Sequence, residues 1–256
     1  MSDFVDWSIV GPALVAGLIV LSTHVPLGQE VLKRGIIFID LAIAQVAGLG
    51  VIAAHAMDWD PEGLQVEVAA VSAALLVAVG LHWTEKRWPT IQEPLIGIVF
   101  ILAATGGILL LAGNPHGSEH LKELLVGQIL WQTWTSLLPI AALYALVLIG
   151  WFLLHRWMSG LAFYVAFAIV VTASVQIVGI YLVFASLIIP ALATTGIRRG
   201  NRLFTGYAIG ALSYLIGITL SVMLDLPTGA IIVWSMAATA LIAGSLFSDK
   251  RPAVQP

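Results

Sequence analysis

The sequence contains no cysteine, and only 10% of its 256 residues are charged. Without cysteine the chain has neither a disulfide framework nor a thiolate metal site. Soluble domains carry about a quarter of their residues as Asp, Glu, Lys or Arg, so this shortage of charge argues against a soluble protein. The net charge of −3 also excludes the basic surface that is typical of nucleic-acid-binding proteins.

Two motifs of enzymes are missing as well. The glycine-rich loop ending in Lys-Ser or Lys-Thr, which binds nucleotide phosphates, does not occur, so we expect no ATP hydrolysis by this chain. The His-Glu-x-x-His motif is absent, which leaves an intramembrane metalloprotease unsupported. Because no other catalytic constellation stands out, we predict a protein that is not an enzyme.

Apolar residues make up 60% of the chain, and its mean hydropathy is +1.01. A membrane-spanning helix needs about 20 mostly apolar residues, with a range of about 17–25. The runs that reach this length carry no charge apart from Asp40, and they are 7–29, 35–57, 68–84, 94–118, 133–154, 157–197, 203–224 and 226–248. The first run is too long for the apolar core of a signal peptide, so we interpret it as a span.

The run 157–197 has 41 residues without a charge, enough for two crossings of the bilayer. Lys and Arg are retained on the cytoplasmic side, and an outside N-terminus places ten of the eleven there, with only Lys122 outside. Two crossings then keep Arg156 and Arg198 on the same side, with a turn near 174–179. We predict an all-α, polytopic helical bundle of about nine spans, N-terminus outside and C-terminus inside; a re-entrant hairpin would leave seven.

Two segments do not match a span. Residues 118–132 open with Ser118 as a helix N-cap and Glu119 at the positive end of the helix dipole, and an apolar stripe follows. We expect an interfacial amphipathic helix on the outer face here. Residues 191–202 carry three arginines, and we expect this short segment at the cytoplasmic surface.

Three ordered motifs resemble a known family. Residues 178–193 resemble the "VGxLLVxALLxxPAAxA" stretch of permeases from the zinc/manganese/iron ABC importers, and 225–233 resemble that family's "D-L-P-T-G-x-x-I-V". Residues 33–50 look like its "RR…GDxLxHxxLxG" segment, and Glu93-Pro-Leu-Ile-Gly97 adds to the resemblance. The family's histidine corresponds to Gln45 here, and the aspartate lies one residue further back, at Asp40.

The resemblance implies one transmembrane permease domain over 1–256 with a type II ABC-importer-like fold, in the bacterial cytoplasmic membrane. It implies a second copy of the permease, separate ATPase subunits and an extracytoplasmic metal-binding protein. The cargo would be a divalent metal ion (zinc, manganese or iron), with no bound cofactor. Residues 191–202 would be the coupling segment that contacts the ATPase. The residues implied in this coupling are Pro190, Ala191, Arg198, Arg199 and Arg202.

Ionisable and polar residues inside a membrane are costly, so each requires an explanation. Asp40, Gln45 and His24 are candidates for the translocation pathway; Asp40 has the alternative of pairing with Lys33 or Arg34. His24 has the alternative of a hydrogen-bonded contact between helices. His55 and His82 lie near span ends, where we expect interfacial anchors.

The one cluster of histidines and acids contains His116, Glu119 and His120, on the predicted outer side. Imidazole and carboxylate are ligands that zinc and manganese accept, so the cluster is a candidate for metal capture. The alternative is a solvated loop and helix cap. Two other functions stay open for the chain: a secondary metal/proton transporter, and an ABC permease for a different small solute.

Overall fold

The computed structural model describes residues 7–57, 59–60, 63–111, 117–153, 160–195, 197 and 199–247. Over these ranges the chain is almost entirely helical, without a β-strand. The α-helices in chain order are α1 (Trp7–Arg34), α2 (Ile39–Ala56), α3 (Leu64–Arg87), α4 (Gln92–Leu111), α5 (Gly117–Val126), α6 (Trp134–Leu153), α7 (Leu161–Val178), α8 (Ile180–Ala193), α9 (Arg199–Leu224) and α10 (Thr228–Phe247). Short 3₁₀ turns at Pro89–Ile91 and Ile129–Trp131 precede α4 and α6.

Eight helices in the described part of the chain are long and apolar enough to cross a membrane. The predicted all-α membrane bundle is therefore confirmed. The predicted count of about nine is close, because the ninth apolar helix is α8, which has only 14 residues. At about 1.5 Å per residue such a helix is about 21 Å long, shorter than the roughly 30 Å core of a bilayer.

The long run from 157 to 197 forms two helices, separated at Gly179 within the predicted turn region. Gly179 has φ +79°, which interrupts the helix after Val178. The ring centroid of Phe163, near the start of α7, lies 4.1 Å from the Arg34 guanidinium carbon at the end of α1. At the other end of the pair, Ala191 contacts Gly28, also in the last part of α1. The pair α7–α8 therefore leaves from and returns to one end of the bundle.

Helix α1 lies at the centre of the bundle and packs against α6, α8 and α9. Gly206 and Gly210 of α9 make room for Val25 and Leu21 of α1; an added Cβ would lie 2.8 Å from Val25 Cγ1 and 2.5 Å from Leu21 Cδ2. Small residues of this kind let helix backbones approach closely in membranes, where packing rather than the hydrophobic effect holds helices together.

The predicted interfacial helix 118–132 is shorter in the structure. It ends at Val126, since Gly127 has φ +72° and breaks the helix. Lys122 and Glu123 are exposed, while Leu124 lies 3.9 Å from the place of a Cβ on Gly48 of α2. The helix thus has one polar and one packed face, as an amphipathic pattern predicts.

The segment 191–202 is divided between two helices and a turn. Helix α8 continues to Ala193, Thr194 and Thr195 form a turn, and α9 begins at Arg199. The Thr194 hydroxyl donates to the Pro190 carbonyl at 3.0 Å and so closes the end of α8. Among the described residues of this segment, there is no separate coupling helix.

Candidate functional site

Asp40 is fully buried in the first turn of α2, and neither of its carboxylate oxygens has a hydrogen-bond partner. The proposed alternative of an ion pair with Lys33 or Arg34 does not occur. Both cations pair with Glu30 instead, at 3.6 and 2.9 Å. A buried carboxylate without a partner is costly. Asp40 therefore has to be protonated or paired with a cation that is not among the described contacts.

The turn between α1 and α2 positions Asp40. Gly35 has φ +69°, and the Ile36 amide donates to the Val31 carbonyl at 3.3 Å, a Schellman end to α1. The Ile37 amide then donates to a Glu93 carboxylate oxygen at the start of α4, at 2.5 Å. The Glu93-Pro motif therefore fixes the α1–α2 turn, one helical turn before Asp40.

Gln45 is half-buried on the same helix. Five residues correspond to about 140° around an α-helix, so Asp40 and Gln45 face different directions. Asp40 makes no hydrogen bond to the Gln45 amide. The two residues of the family-like motif are thus on one helix but do not form a joint site within one chain.

His24 is fully buried in α1. Its Nδ1 lies 2.8 Å from the Val20 carbonyl and 3.2 Å from the Thr23 hydroxyl. Because a carbonyl only accepts hydrogen bonds, Nδ1 carries the proton and Nε2 carries a lone pair, which is buried without a partner. The hydrogen bond lies within α1, not between helices as the alternative proposed, and it leaves the nitrogen in the form that binds metals.

No hydrogen bond joins the predicted pathway residues Asp40 and His24. Asp40 and the His24 Nε2 atom have no hydrogen-bond partner, so neither bonds to the other. Across the described part of the chain, no three His, Asp or Glu side chains are grouped so that they could hold a metal ion.

The predicted capture cluster is only partly covered by the structure. His116 lies outside the described residues. Helix α5 includes positions 119 and 120, but the side chains of Glu119 and His120 are not among those described. Metal capture here stays a prediction.

Arg202 has a structural contact that the sequence did not reveal. Its Nε donates to the Ile197 carbonyl and its Nη2 donates to the Thr195 carbonyl, both at 2.8 Å. The guanidinium thus ties α9 to the turn after α8. Arg198 and the Arg199 side chain lie outside the described part, and Pro190 and Ala191 are buried in α8.

Two large apolar side chains flank the same turn and are open to the surroundings. Leu192 is 56% exposed and Phe204 is 78% exposed. The charges of this segment are evident in the sequence, whereas the exposure of its two large apolar side chains appears only in the structure. No pattern in the predominantly apolar sequence of α8 marks Leu192 as exposed.

The Asp225-Leu-Pro-Thr-Gly motif forms the compact turn between α9 and α10. Asp225 has φ +51°, and the Leu226 amide donates to the Ser221 carbonyl at 3.2 Å, so Asp225 ends α9 where glycine is usual. The Ser221 hydroxyl donates back to the Leu226 carbonyl at 2.7 Å. Residues 126–131 and 225–228 line an open pocket of about 330 Å³ beside this turn.

His82 was expected as an interfacial anchor, and this prediction is wrong. The residue is only 7% exposed, and its ring packs against Tyr164 of α7 with centroids 5.3 Å apart. Position near a span end did not reveal this, because α7 covers the end of α3 from more than seventy residues away in sequence.

Comparison with known proteins explains the shared motifs. The profile of the ABC 3 transport family matches residues 6–166 and 157–247, nearly the whole chain. The chain belongs to the ABC 3 transport family. This permease is 26% identical to the manganese transport system membrane protein MntC of Halalkalibacterium halodurans, over 97% of this chain and 90% of the relative. It is 24% identical to the high-affinity zinc uptake system membrane protein ZnuB of Haemophilus influenzae, over 96% and 99%.

A solved structure shares the fold. PsaBC from Streptococcus pneumoniae in complex with Fab matches with a TM-score of 0.71, at 23% identity, over 91% of this chain and 90% of that chain. The resemblance predicted from the motifs is thereby confirmed, and the chain is a multi-pass membrane permease of the ABC 3 type.

Proposed function

We propose that this ABC 3 permease is the membrane-spanning subunit of an ATP-driven importer of divalent metal ions in the bacterial cytoplasmic membrane. Zinc, manganese and iron are the candidate cargoes. The supporting observation is the length of the match: relatives named for manganese and zinc transport align over at least 90% of both chains. The family-like motifs at 33–50, 93–97, 178–193 and 225–233 are distributed over the same aligned length.

The proposed partners follow from the family and from this chain's own surface. ATP hydrolysis belongs to a separate ATPase subunit, because the chain has no phosphate-binding loop. The α8–α9 turn is the proposed contact for that subunit, because the exposed Leu192 and Phe204 flank it and the sequence adds Arg198 and Arg199 to the same segment. A second copy of the permease and an extracytoplasmic metal-binding protein complete the proposed importer.

Asp40 is the proposed cation-attracting group of the pathway. Its carboxylate is buried and free of partners, and a passing divalent ion would satisfy it. His24 offers a buried, unprotonated Nε2 on α1, and Gln45 offers an amide oxygen where the family has imidazole. Amide oxygen is the weaker ligand for zinc or manganese, so we expect Asp40 to be the main contact.

A secondary metal/proton transporter is the alternative from another class. Such proteins place several acids or histidines together near the middle of the membrane. The described residues contain no such group of three, which favours the ATP-driven importer. An ABC permease for a different small solute stays open through Gln45.

Purification with native partners tests the proposal. A tag after Pro256, extraction in mild detergent and mass spectrometry should recover an ATPase at about one copy per permease. Proteoliposomes of that complex with the binding protein should then accumulate ⁵⁴Mn²⁺ or ⁶⁵Zn²⁺ only when ATP is inside with the ATPase. A permease that purifies alone and moves metal along a proton gradient without ATP would establish the secondary transporter instead.

Cargo and capture need a separate measurement. The His116→Ala/His120→Ala double variant should raise the external metal concentration for half-maximal uptake, and Glu119→Gln should do so less, because glutamine keeps an oxygen ligand. His55→Ala serves as a control at another helix end. An uptake curve identical to that of the wild type would assign 116–120 to a solvated loop and cap.

A further inference from the structure

A second polar group lies where α3 ends and α7 begins. His82 and Glu85 are one turn apart on α3, and the His82 Nδ1 atom is 3.6 Å from a Glu85 carboxylate oxygen. This separation is too long for a hydrogen bond. It is, however, close to the spacing of two ligands of one metal ion, which lie about 3.4 Å apart when each is about 2.1 Å from the ion at a tetrahedral angle.

Tyr164 brings a third polar atom to this place. The tyrosine ring is fully buried on α7, next to the His82 ring, and its hydroxyl interacts electrostatically with Glu85. No hydrogen bond of regular geometry reaches the His82 Nδ1 atom or the Tyr164 hydroxyl, although both residues are more than nine-tenths buried; the polar groups that interact with the hydroxyl include Glu85 and Gln92. An ion bound between the imidazole nitrogen and the carboxylate would satisfy both.

The surroundings hold these side chains in place. Gly160, with φ +60° before α7, lies against the His82 ring, where an added Cβ would be 3.3 Å from Cε1. The Gln92 amide of α4 donates to the Leu81 carbonyl at 2.9 Å and accepts from Thr84, and so fixes the last turns of α3. The Gln92 amide also interacts with the Tyr164 hydroxyl.

The local charge also suits a cation. His82 and Glu85 lie in the last two turns of α3, at the negative end of its dipole. Arg34 also interacts with Tyr164, but its charge is offset by Glu30 at 2.9 Å. Lys86 and Arg87, the next basic residues on α3, are exposed.

We propose that His82, Glu85 and Tyr164 form a divalent-cation site that ties α3 to α7. Imidazole nitrogen and carboxylate oxygen bind the ion, the phenol oxygen is the third contact, and water completes the shell through the exposed side of Glu85. Imidazole with oxygen ligands suits zinc, manganese or iron. The site goes beyond the proposed transport function, because it contains none of the proposed pathway residues and lies at the end where basic residues predict the cytoplasm. It would bind ions on the side to which cargo is delivered.

Cobalt titration of the purified full-length permease tests the site. Co²⁺ bound in a four-coordinate protein site absorbs visible light, so binding is read without any transport. We expect His82→Ala to lose one equivalent of bound Co²⁺ and Glu85→Gln to weaken that equivalent at least about tenfold. Tyr164→Phe should shift its absorption band and remove the tyrosine ultraviolet change that accompanies binding to the wild type.

His55→Ala and Glu67→Gln are the matched controls, at other helix ends, and both should bind Co²⁺ as the wild type does. A size-exclusion elution volume and an unfolding temperature equal to those of the wild type would show that the variants are folded. Glu85→Gln and Tyr164→Phe change few atoms and cover the case in which His82→Ala fails to fold. Wild-type stoichiometry and affinity in folded Glu85→Gln and Tyr164→Phe would overturn the proposal. That result would leave the importer assignment untouched, since uptake is measured separately.

Discussion

The Tyr207 hydroxyl of α9 donates a 2.9 Å hydrogen bond to the Ser22 carbonyl of α1. Four residues after Ser22 stands Pro26, which has no N–H, so the helix cannot satisfy this carbonyl itself. Inside a bilayer an unsatisfied backbone group costs several kcal/mol, and a neighbouring helix must provide the donor. The proline in α1 is thus compensated by a tyrosine 185 residues away.

This relationship predicts a thermodynamic coupling. Tyr207→Phe should lower the free energy of unfolding by about 1 kcal/mol, the usual net worth of such a bond. In a Pro26→Ala background the loss should shrink, because the substituted residue has a backbone N–H that reaches the Ser22 carbonyl. Unfolding in mixed micelles with SDS measures the double-mutant cycle, with Tyr181→Phe as an exposed control. An equal loss in both backgrounds would contradict the compensation.

Asp40→Asn separates a functional carboxylate from a structural one. Removing an unpartnered buried charge should leave the free energy of unfolding unchanged or raise it. Metal uptake by the reconstituted importer should fall about tenfold or more, as is common when a group at a metal site is changed. Glu67→Gln, an exposed carboxylate on α3, is the control for both assays. Destabilisation with normal uptake would make Asp40 structural.

The break between α7 and α8 depends on two glycines. Gly179 and Gly127 both have positive φ and touch backbone to backbone, so a Cβ on either one would collide with main-chain atoms of the other segment. Gly35→Ala measures the φ cost alone, since its φ is +69° with nothing within 4 Å. We expect Gly179→Ala to be worse than Gly35→Ala by about 1–3 kcal/mol of unfolding free energy. Equal losses would mean that the junction relaxes freely.

Substitutions of the arginines in the α8–α9 turn should affect different properties, stability for Arg202 and coupling to ATP hydrolysis for Arg198 and Arg199. Arg202→Gln should lower stability by about 1–2 kcal/mol, since it loses charged donors to the Thr195 and Ile197 carbonyls. Reversing Arg198 and Arg199 to Glu should keep the fold but reduce metal ions transported per ATP hydrolysed. Parallel measurement of unfolding and of that ratio checks the distinction. A normal ratio in the folded double variant would remove these two arginines from the coupling contact.

Much of the architecture could be predicted because it depends on local sequence. A backbone in lipid must satisfy its polar groups within its own helix, so each long apolar run becomes one crossing. The uncharged run 157–197 already required two crossings, and Gly179 lies where a turn was expected. The early end of the helix at Gly127 was missed, because Gly127 packs against Gly179, which is distant in the sequence.

The sequence alone determined that the chain is a membrane bundle with the motifs of one permease family, and it identified Asp40, His24 and the arginine segment as the residues to examine. Only the tertiary structure decided their state. Lys33 and Arg34 form ion pairs with Glu30 and not with Asp40, and Arg202 donates hydrogen bonds to backbone carbonyls. His82 met Tyr164 across α3 and α7. Periodicity and composition act over a few residues, whereas the partner of a buried polar group is set by which helices pack together.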